Sequence, residues 1–391
     1  MPQLTIPQAS SETGFFRASQ APDSKYDPSA IGLAFSGGGY RATLFHAGSL
    51  LRLNELGILS QASRISSVSG GSITTGILAM NWDKIDWNGA SEGVATHDDM
   101  IQHVLKPVMD ATARGIDIGV SVLGFVPGIS GGNELARTYD KHIFHDVKLN
   151  EITNTRRFLF CAANLQTGGL VRFTKDYVAD WQAFFSTTNT IKLSHAVAAS
   201  SGFPPILAPM RLDLRGETVT APKGARYDSI ALRERPVLVD GGVYDNIGLE
   251  PIWKRCGILI ASNAGSNNPA KVSQFRLGMM PRVLSTFLDV SVNWRERMLV
   301  NMYRNELADG LKERNGAYWT IKTPTNRLAW DGYKASPAQL KLAADMATRL
   351  KKFPIETQHA AVLAGYSYTD GTIRKYLRPD APAPQAKPVL P

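Results

Sequence analysis

Short uninterrupted apolar runs recur along the chain at Ile31–Phe35, Arg64–Val68, Phe158–Ala163, Val237–Val239 and Gly257–Ala261. Runs of this length without polar alternation suit strands covered on both faces, as in a parallel sheet. The segments between them carry a helical period. After the first run, Leu44, Ala47 and Leu51 fall at i, i+3 and i+7, and Gly57 stands where a helix would end. Strand, loop, helix, strand is the order of an α/β fold. It predicts three layers, with a mostly parallel central sheet between helices and a helical C-terminal third. Residues 1–28, rich in Ser, Pro and Gln, read as a loosely ordered lead-in, and residues 379–391, rich in Pro and Ala, as a flexible tail. That leaves 29–378 as the folded domain. One stretch fits neither period. Ile116–Ile129 is apolar and punctuated by glycine, which suits either a packed loop or a flap that meets a lipid interface.

Composition narrows the class. With 43% hydrophobic and 20% charged residues in 391, the body of the chain is neither disordered nor fibrous. The formal charge of +9 admits nucleic acid, an anionic membrane surface or acidic ligands as partners. The basic residues are scattered, with no arginine-rich arm and no zinc-finger spacing, so no nucleic-acid partner is expected. An anionic lipid surface suits the same charge. The two cysteines, Cys161 and Cys256, flank apolar runs and read as buried thiols. Met1–Tyr26 lacks the apolar core of a signal peptide, and no stretch reaches the roughly 18 apolar residues of a membrane span. The expected location is the cytoplasm, with any membrane contact peripheral.

Three glycine-bearing segments carry the candidate chemistry, and each follows an apolar run. In Ser36-Gly37-Gly38-Gly39-Tyr40-Arg41, consecutive glycines allow positive φ, and their N–H groups lie at a predicted helix N-terminus that favours negative charge. Such a loop could hold a phosphate or the oxyanion of an acyl transfer. It lacks the ending of a P-loop and the spacing of a dinucleotide fingerprint. In Ser67-Val68-Ser69-Gly70-Gly71-Ser72, Ser69 stands between a strand and the helical stretch Ile73–Met80, the context of a nucleophile elbow. The same residues also suit a plain turn with a capping serine. Asp240-Gly241-Gly242 closes the run at Val237–Val239, where α/β folds collect functional groups, although an ordinary Asp-Gly turn reads the same way.

A serine nucleophile needs a base, ordinarily a histidine oriented by a carboxylate. None of the seven histidines follows a strand-like run in a glycine or loop setting. His46, in the first predicted helix beside the glycine loop, is the one placed near the site. Without histidine, Asp240 must take the serine proton itself. An ordinary aspartate is too acidic for that at neutral pH, and burial would correct it.

The ordered set Gly37-Gly38-Gly39-Tyr40-Arg41, Ser67-Val68-Ser69-Gly70-Gly71 and Asp240-Gly241-Gly242 resembles the patatin-like phospholipases. Their bacterial members also look similar at Leu135–Lys141, Ala163–Gly168, Ala198–Pro205 and Asp240–Asn246. The resemblance runs from about residue 29 to at least 265. It implies a patatin-like hydrolase domain that is an α/β sandwich, with a Ser–Asp dyad, no metal and no cofactor, acting on acyl esters of phospholipids or related lipids. Carried over by residue, Ser69 is the nucleophile and Asp240 the base. Gly37, Gly38 and Gly39 form the oxyanion hole, and Arg41 supports that loop. Ser36 stands where plant-type members have Asp, and Ser67 replaces the elbow's first glycine. The Ser-Gly-Gly-Gly-X-Arg-Ala form also resembles cytosolic phospholipase A2, a relative with the same dyad. The expected function is a serine lipid acyl hydrolase of phospholipase A or lysophospholipase type. A soluble carboxylesterase or thioesterase with the same dyad, and a non-catalytic lipid- or nucleotide-binding effector, are the alternatives. Oligomeric state, acyl position and headgroup preference leave no trace in the sequence.

Overall fold

The computed structural model describes residues 26–116, 130–205, 207–265, 279–306 and 312–391. The unpatterned stretch proposed as a flap therefore lies outside the described residues, apart from Ile116. That residue is buried and donates its N–H to the Leu350 carbonyl. The lead-in lies outside them too, up to Tyr26.

The apolar runs become strands. β1 (Asp27–Phe35), β2 (Ala62–Val68), β3 (Arg157–Asn164), β10 (Cys256–Asn263) and β11 (Asn315–Thr320) lie side by side in the order β11-β10-β1-β2-β3, all parallel. Beyond β3 the sheet changes character. The short strands β4 (Leu170–Phe173), β5 (Val178–Asp180), β6 (Phe184–Ser186) and β8 (Val219–Thr220) continue it antiparallel. β9 (Val237–Asp240) pairs antiparallel with both β3 and β7 (Met210–Arg211). The sheet is thus mixed around a parallel centre, and the run ending at Asp240 reverses the direction its neighbours suggest.

The period of two explains the layering. On β1, Leu33 and Phe35 enter the larger apolar core, while Ala34 joins a second core with Leu259, Ala261, Leu299 and Met302 on the opposite face. The larger core is roofed by α1 (Gly39–Glu55), α2 (Gly70–Asn81), α3 (Leu193–Ser201) and, later in the chain, α6 (Ile355–Tyr376). The short α4 (Gly242–Asp245) follows β9, and α5 (Met280–Arg304) sends Leu299 and Met302 into the second core. α1 is buried from Gly39 to Asn54, not on one stripe as its period suggests, because α6 covers its outer side. Gly57 takes φ +65° just past its end, as a helix-terminating glycine should.

Two expectations need correcting. The C-terminal third is helical except for β11, whose Asn315–Thr320 sequence carries no apolar run. The last residues are docked rather than loose. Arg52 Nη2 donates to the Pro382 carbonyl at 2.7 Å and the Tyr333 N–H to Pro384 at 2.6 Å, while Leu390 packs on the core. Proline lacks an N–H but keeps its carbonyl, so a Pro-rich segment can still be held by donors from the fold.

Candidate active site

Strand register brings the three glycine-bearing segments to one edge of the sheet. Phe35 pairs with Ser67, Val68 with Cys161, and Ala162 with Asp240. Each segment leaves its strand there, where α/β sheets gather ligands.

Ser69 sits between β2 and α2 with φ +53° and ψ −122°, in a region that side chains other than glycine rarely adopt. Its N–H donates to the Ser200 carbonyl at 3.1 Å and to the Ser200 hydroxyl at 3.0 Å. A strained serine held at a strand-to-helix turn is the geometry of a nucleophile elbow. The departure at Ser67 is accommodated, because its Oγ accepts from Ser72 Oγ at 3.0 Å and from Thr75 Oγ1 at 2.7 Å. Serine at the elbow's first position therefore ties the turn to α2.

Asp240 is 2% exposed. Its Oδ1 accepts the Gly242 N–H at 2.7 Å. Oδ2 has no hydrogen bond of full geometry among the described residues, though the Ser69 hydroxyl lies near enough to draw the pKa down. Burial dominates and pushes the Asp240 pKa from the ordinary 3.8 up to about 7. A carboxyl with that proton affinity can serve as a general base at neutral pH.

The glycine loop wraps over Ser69. A Cβ on Gly37 would lie 3.1 Å from Ser69 Cβ, and one on Gly70 only 2.1 Å from the Gly39 carbonyl oxygen. The loop and the elbow thus interlock at van der Waals distance, which only glycine permits. Gly38 and Gly39 have φ +143° and +57°. Among the described residues no acceptor takes the N–H of either. Gly37 is different. Its N–H donates to the Asn246 carbonyl at 3.0 Å, so it cannot be a third oxyanion donor as expected. Arg41 fastens the loop from behind, with Nε on the Ala264 carbonyl at 2.9 Å and Nη1 on Met346 at 2.6 Å. Burial lowers its pKa to about 10, which still leaves it charged. The departure at Ser36 also has a structural role, since its Oγ accepts the Ala264 N–H at 2.8 Å and donates to the Gly37 carbonyl at 3.1 Å.

His46 is fully buried and both ring nitrogens are engaged. Nε2 lies 3.0 Å from the Ser36 carbonyl and must donate to it, leaving Nδ1 to accept from Ser262 Oγ at 3.0 Å. Burial drives its pKa down to about 3. This neutral histidine joins α1 to the ends of β1 and β10 and holds no proton from Ser69.

Sequence reasoning missed Ser200 as a positioning residue. Its carbonyl accepts N–H groups from both Ser69 and Gly241, each at 3.1 Å, so the end of α3 sets the spacing of the Ser69 and Asp240 loops. The Ser200 hydroxyl also pairs with Ser72 Oγ at 2.8 Å. The run of small residues ending in Gly202 was the available signal, but nothing in it shows which backbone it would meet. Cys161 and Cys256 are free and buried, as expected.

The chain matches 59 residues of lysophospholipase 2 from Candida albicans at 52% identity, 13% of this chain and 10% of that protein. In three dimensions it is similar to human GIVD cytosolic phospholipase A2, with a TM-score of 0.54 at 13% identity. That likeness covers 89% of this chain and 59% of the human one, so the chain spans less than two thirds of either relative. The model of the patatin-like phospholipase family matches residues 33–253, which holds the glycine loop, the elbow and Asp240. That is more than half of the 391 residues, and the chain belongs to the patatin-like phospholipase family.

Proposed function

We propose that the protein is a serine lipid acyl hydrolase in which Ser69 attacks the ester carbonyl and Asp240 accepts its proton. The observation that carries this reading is the pairing of a strained serine at a strand-to-helix turn with a buried carboxyl poised near neutrality. As Ser69 Oγ bonds to the carbonyl carbon, its proton passes to Asp240. The developing oxyanion falls to the N–H groups of Gly38 and Gly39, at the positive end of α1. Collapse of the tetrahedral species expels the alcohol portion of the lipid, which takes the proton back from Asp240 and leaves an acyl-serine. Water then attacks the acyl-serine and gives a proton to Asp240, and collapse breaks the bond to Ser69 Oγ, releases the fatty acid and returns that proton to the serine. Gly37 spaces the loop, and Arg41 holds it against the segment after β10.

Phospholipids or related acyl lipids are the proposed substrates, reached by peripheral contact with a membrane. The family, the lysophospholipase and phospholipase A2 relatives and the basic charge support this reading. Among the described residues no helix is long and apolar enough to cross a membrane. Two buried, unpaired thiols suit a cytoplasmic location. The test is mass spectrometry of products from mixed phospholipids. Wild type should release fatty acid and lysolipid, and Ser69→Ala and Asp240→Asn should release neither while remaining folded. Full activity in Ser69→Ala would refute the reading.

A further inference from the structure

α5 carries three distinct faces. The inward face grips the base loop. Ser291 Oγ donates to the Tyr244 carbonyl at 3.2 Å, and Arg295 Nε lies 3.2 Å from Asp245 Oδ1. These contacts fall four and five residues past Asp240. A second face, with the open edge of β11, bounds a cavity of about 960 Å³. Arg297, Arg304, Lys312, Arg314 and Arg327 line it, and Glu296 is the one carboxylate among the lining residues.

The third face lies between the other two and is apolar. Phe287, Val290 and Trp294 are 69%, 48% and 66% exposed. At 3.6 residues per turn they fall within roughly 60° of one another. The Arg297 guanidinium lies 5.9 Å from the Trp294 ring centroid, where the stripe meets the cationic cavity. Isolated exposed apolar residues need no explanation, but two aromatics and a valine aligned beside clustered cations do.

We propose that this side of α5 docks on an anionic phospholipid bilayer, with Phe287, Val290 and Trp294 entering the interface and the cations meeting lipid phosphates. The proposal rests on the reading of the protein as a lipid hydrolase. Aromatic rings settle at the headgroup level, and basic residues beside them add attraction to anionic lipid. A second copy of the chain is a poor occupant. A symmetric pairing would bring two cationic cavities together, and their repulsion opposes it. The docking helix also touches the loop that carries the base, which places the bilayer within reach of the site that consumes its lipids.

The test uses the full chain and separates docking from catalysis. Flotation with phosphatidylcholine vesicles, with and without phosphatidylglycerol, reads binding in a Ser69→Ala background. Steady-state rates on vesicles and on a monomeric short-chain ester read catalysis. The double substitution Phe287→Ser with Trp294→Ser should weaken binding to phosphatidylglycerol vesicles about tenfold or more. It should lower the ratio of vesicle to monomer rates by a similar factor. Arg297→Gln with Arg304→Gln should flatten the salt dependence of binding. Unchanged vesicle binding in the aromatic variant would overturn the proposal. So would equal binding to both vesicle types, or light scattering that shows a dimer lost on substitution. Failure of the hydrolase reading would appear separately, as no ester cleavage on either substrate with flotation intact.

Discussion

In the proposed mechanism Asp240 joins stability and catalysis in a way that experiment can separate. In the unfolded chain its carboxyl titrates near the ordinary 3.8, whereas in the fold burial holds it near 7. Between those values the native state binds the proton that the unfolded state has lost, so stability falls as pH rises from about 4 to 7 and levels off above. At 1.36 kcal/mol per pH unit, the shift from 3.8 to about 7 amounts to about 4 kcal/mol of destabilisation above neutrality. Asp240→Asn removes the charge, keeps an acceptor for the Gly242 N–H and preserves the shape. Its amide N–H groups take back part of the gain, because the unpartnered side of the carboxyl offers them little. The variant should be inactive yet more stable than wild type by about 2–4 kcal/mol at pH 8, and this difference should fall by about 4 kcal/mol towards pH 4, where wild type is at least as stable. Urea unfolding of both proteins at several pH values measures this. In the same range kcat/KM of wild type on a soluble ester should rise tenfold per pH unit up to about 7 and then flatten, as Asp240 ionises. A variant no more stable than wild type at pH 8, together with a rate already level at pH 5, would show that Asp240 is an ordinary carboxylate and refute the argument.

Other perturbations follow from the same contacts. Gly39→Ala places a methyl 2.7 Å from the Arg349 carbonyl at φ +57°, and the displaced loop should reduce kcat about 100-fold or more in a steady-state assay. Ser200→Ala leaves the Ser69 N–H its carbonyl partner but frees the turn, and kcat should fall about tenfold with KM little changed. His46→Ala takes a donor from the Ser36 carbonyl, leaves the Ser262 hydroxyl with the Ser49 hydroxyl alone and opens a cavity, and should cost about 2–4 kcal/mol in urea unfolding, while the rate per folded molecule holds. Cys161, with its pKa pushed up to about 12 by burial, should resist iodoacetamide in the native enzyme, and treated protein should keep its activity.

The sheet was legible wherever burial on both faces imposed an unbroken apolar run. It was illegible where one face is partly open, as at Asn315–Thr320, whose exposed and buried residues mix. Strand direction was legible for the four runs that form β1, β2, β3 and β10, and not for the fifth. Val237–Val239 looks like its parallel neighbours because burial shapes composition, whereas pairing direction follows from connections far along the chain. At the candidate site, the position of Ser69 and Asp240 at strand ends could be read because each stands beside glycines at a tight turn after an apolar run. Gly37 was misjudged for the opposite reason. Its sequence context equals that of Gly38 and Gly39, and only the fold brings the Asn246 carbonyl to its N–H. Ser200 and α5 act through tertiary contacts with the two loops, and local pattern carries no trace of such contacts.

Two buried aspartates five residues apart show what distinguishes a base from a brace. Asp245 Oδ1 accepts N–H groups from Ile247 and Gly248 at 3.1 and 3.2 Å and faces Arg295, and its Oδ2 accepts from Glu250 at 2.9 Å. These contacts tie the Asp245 carboxylate into the turn that follows the Asp240 loop. Asp240 receives one backbone N–H, no cation, and a serine hydroxyl short of full hydrogen-bond geometry. Its hydrogen bonds are too few to offset burial, and the proton affinity that results is the one a serine hydroxyl requires. A donor added at Oδ2 would stabilise the carboxylate, lower its pKa and weaken the base. The sparse environment of Asp240 is therefore a condition of the base role proposed for it, and the stability it costs is supplied by the cores on either side of the sheet.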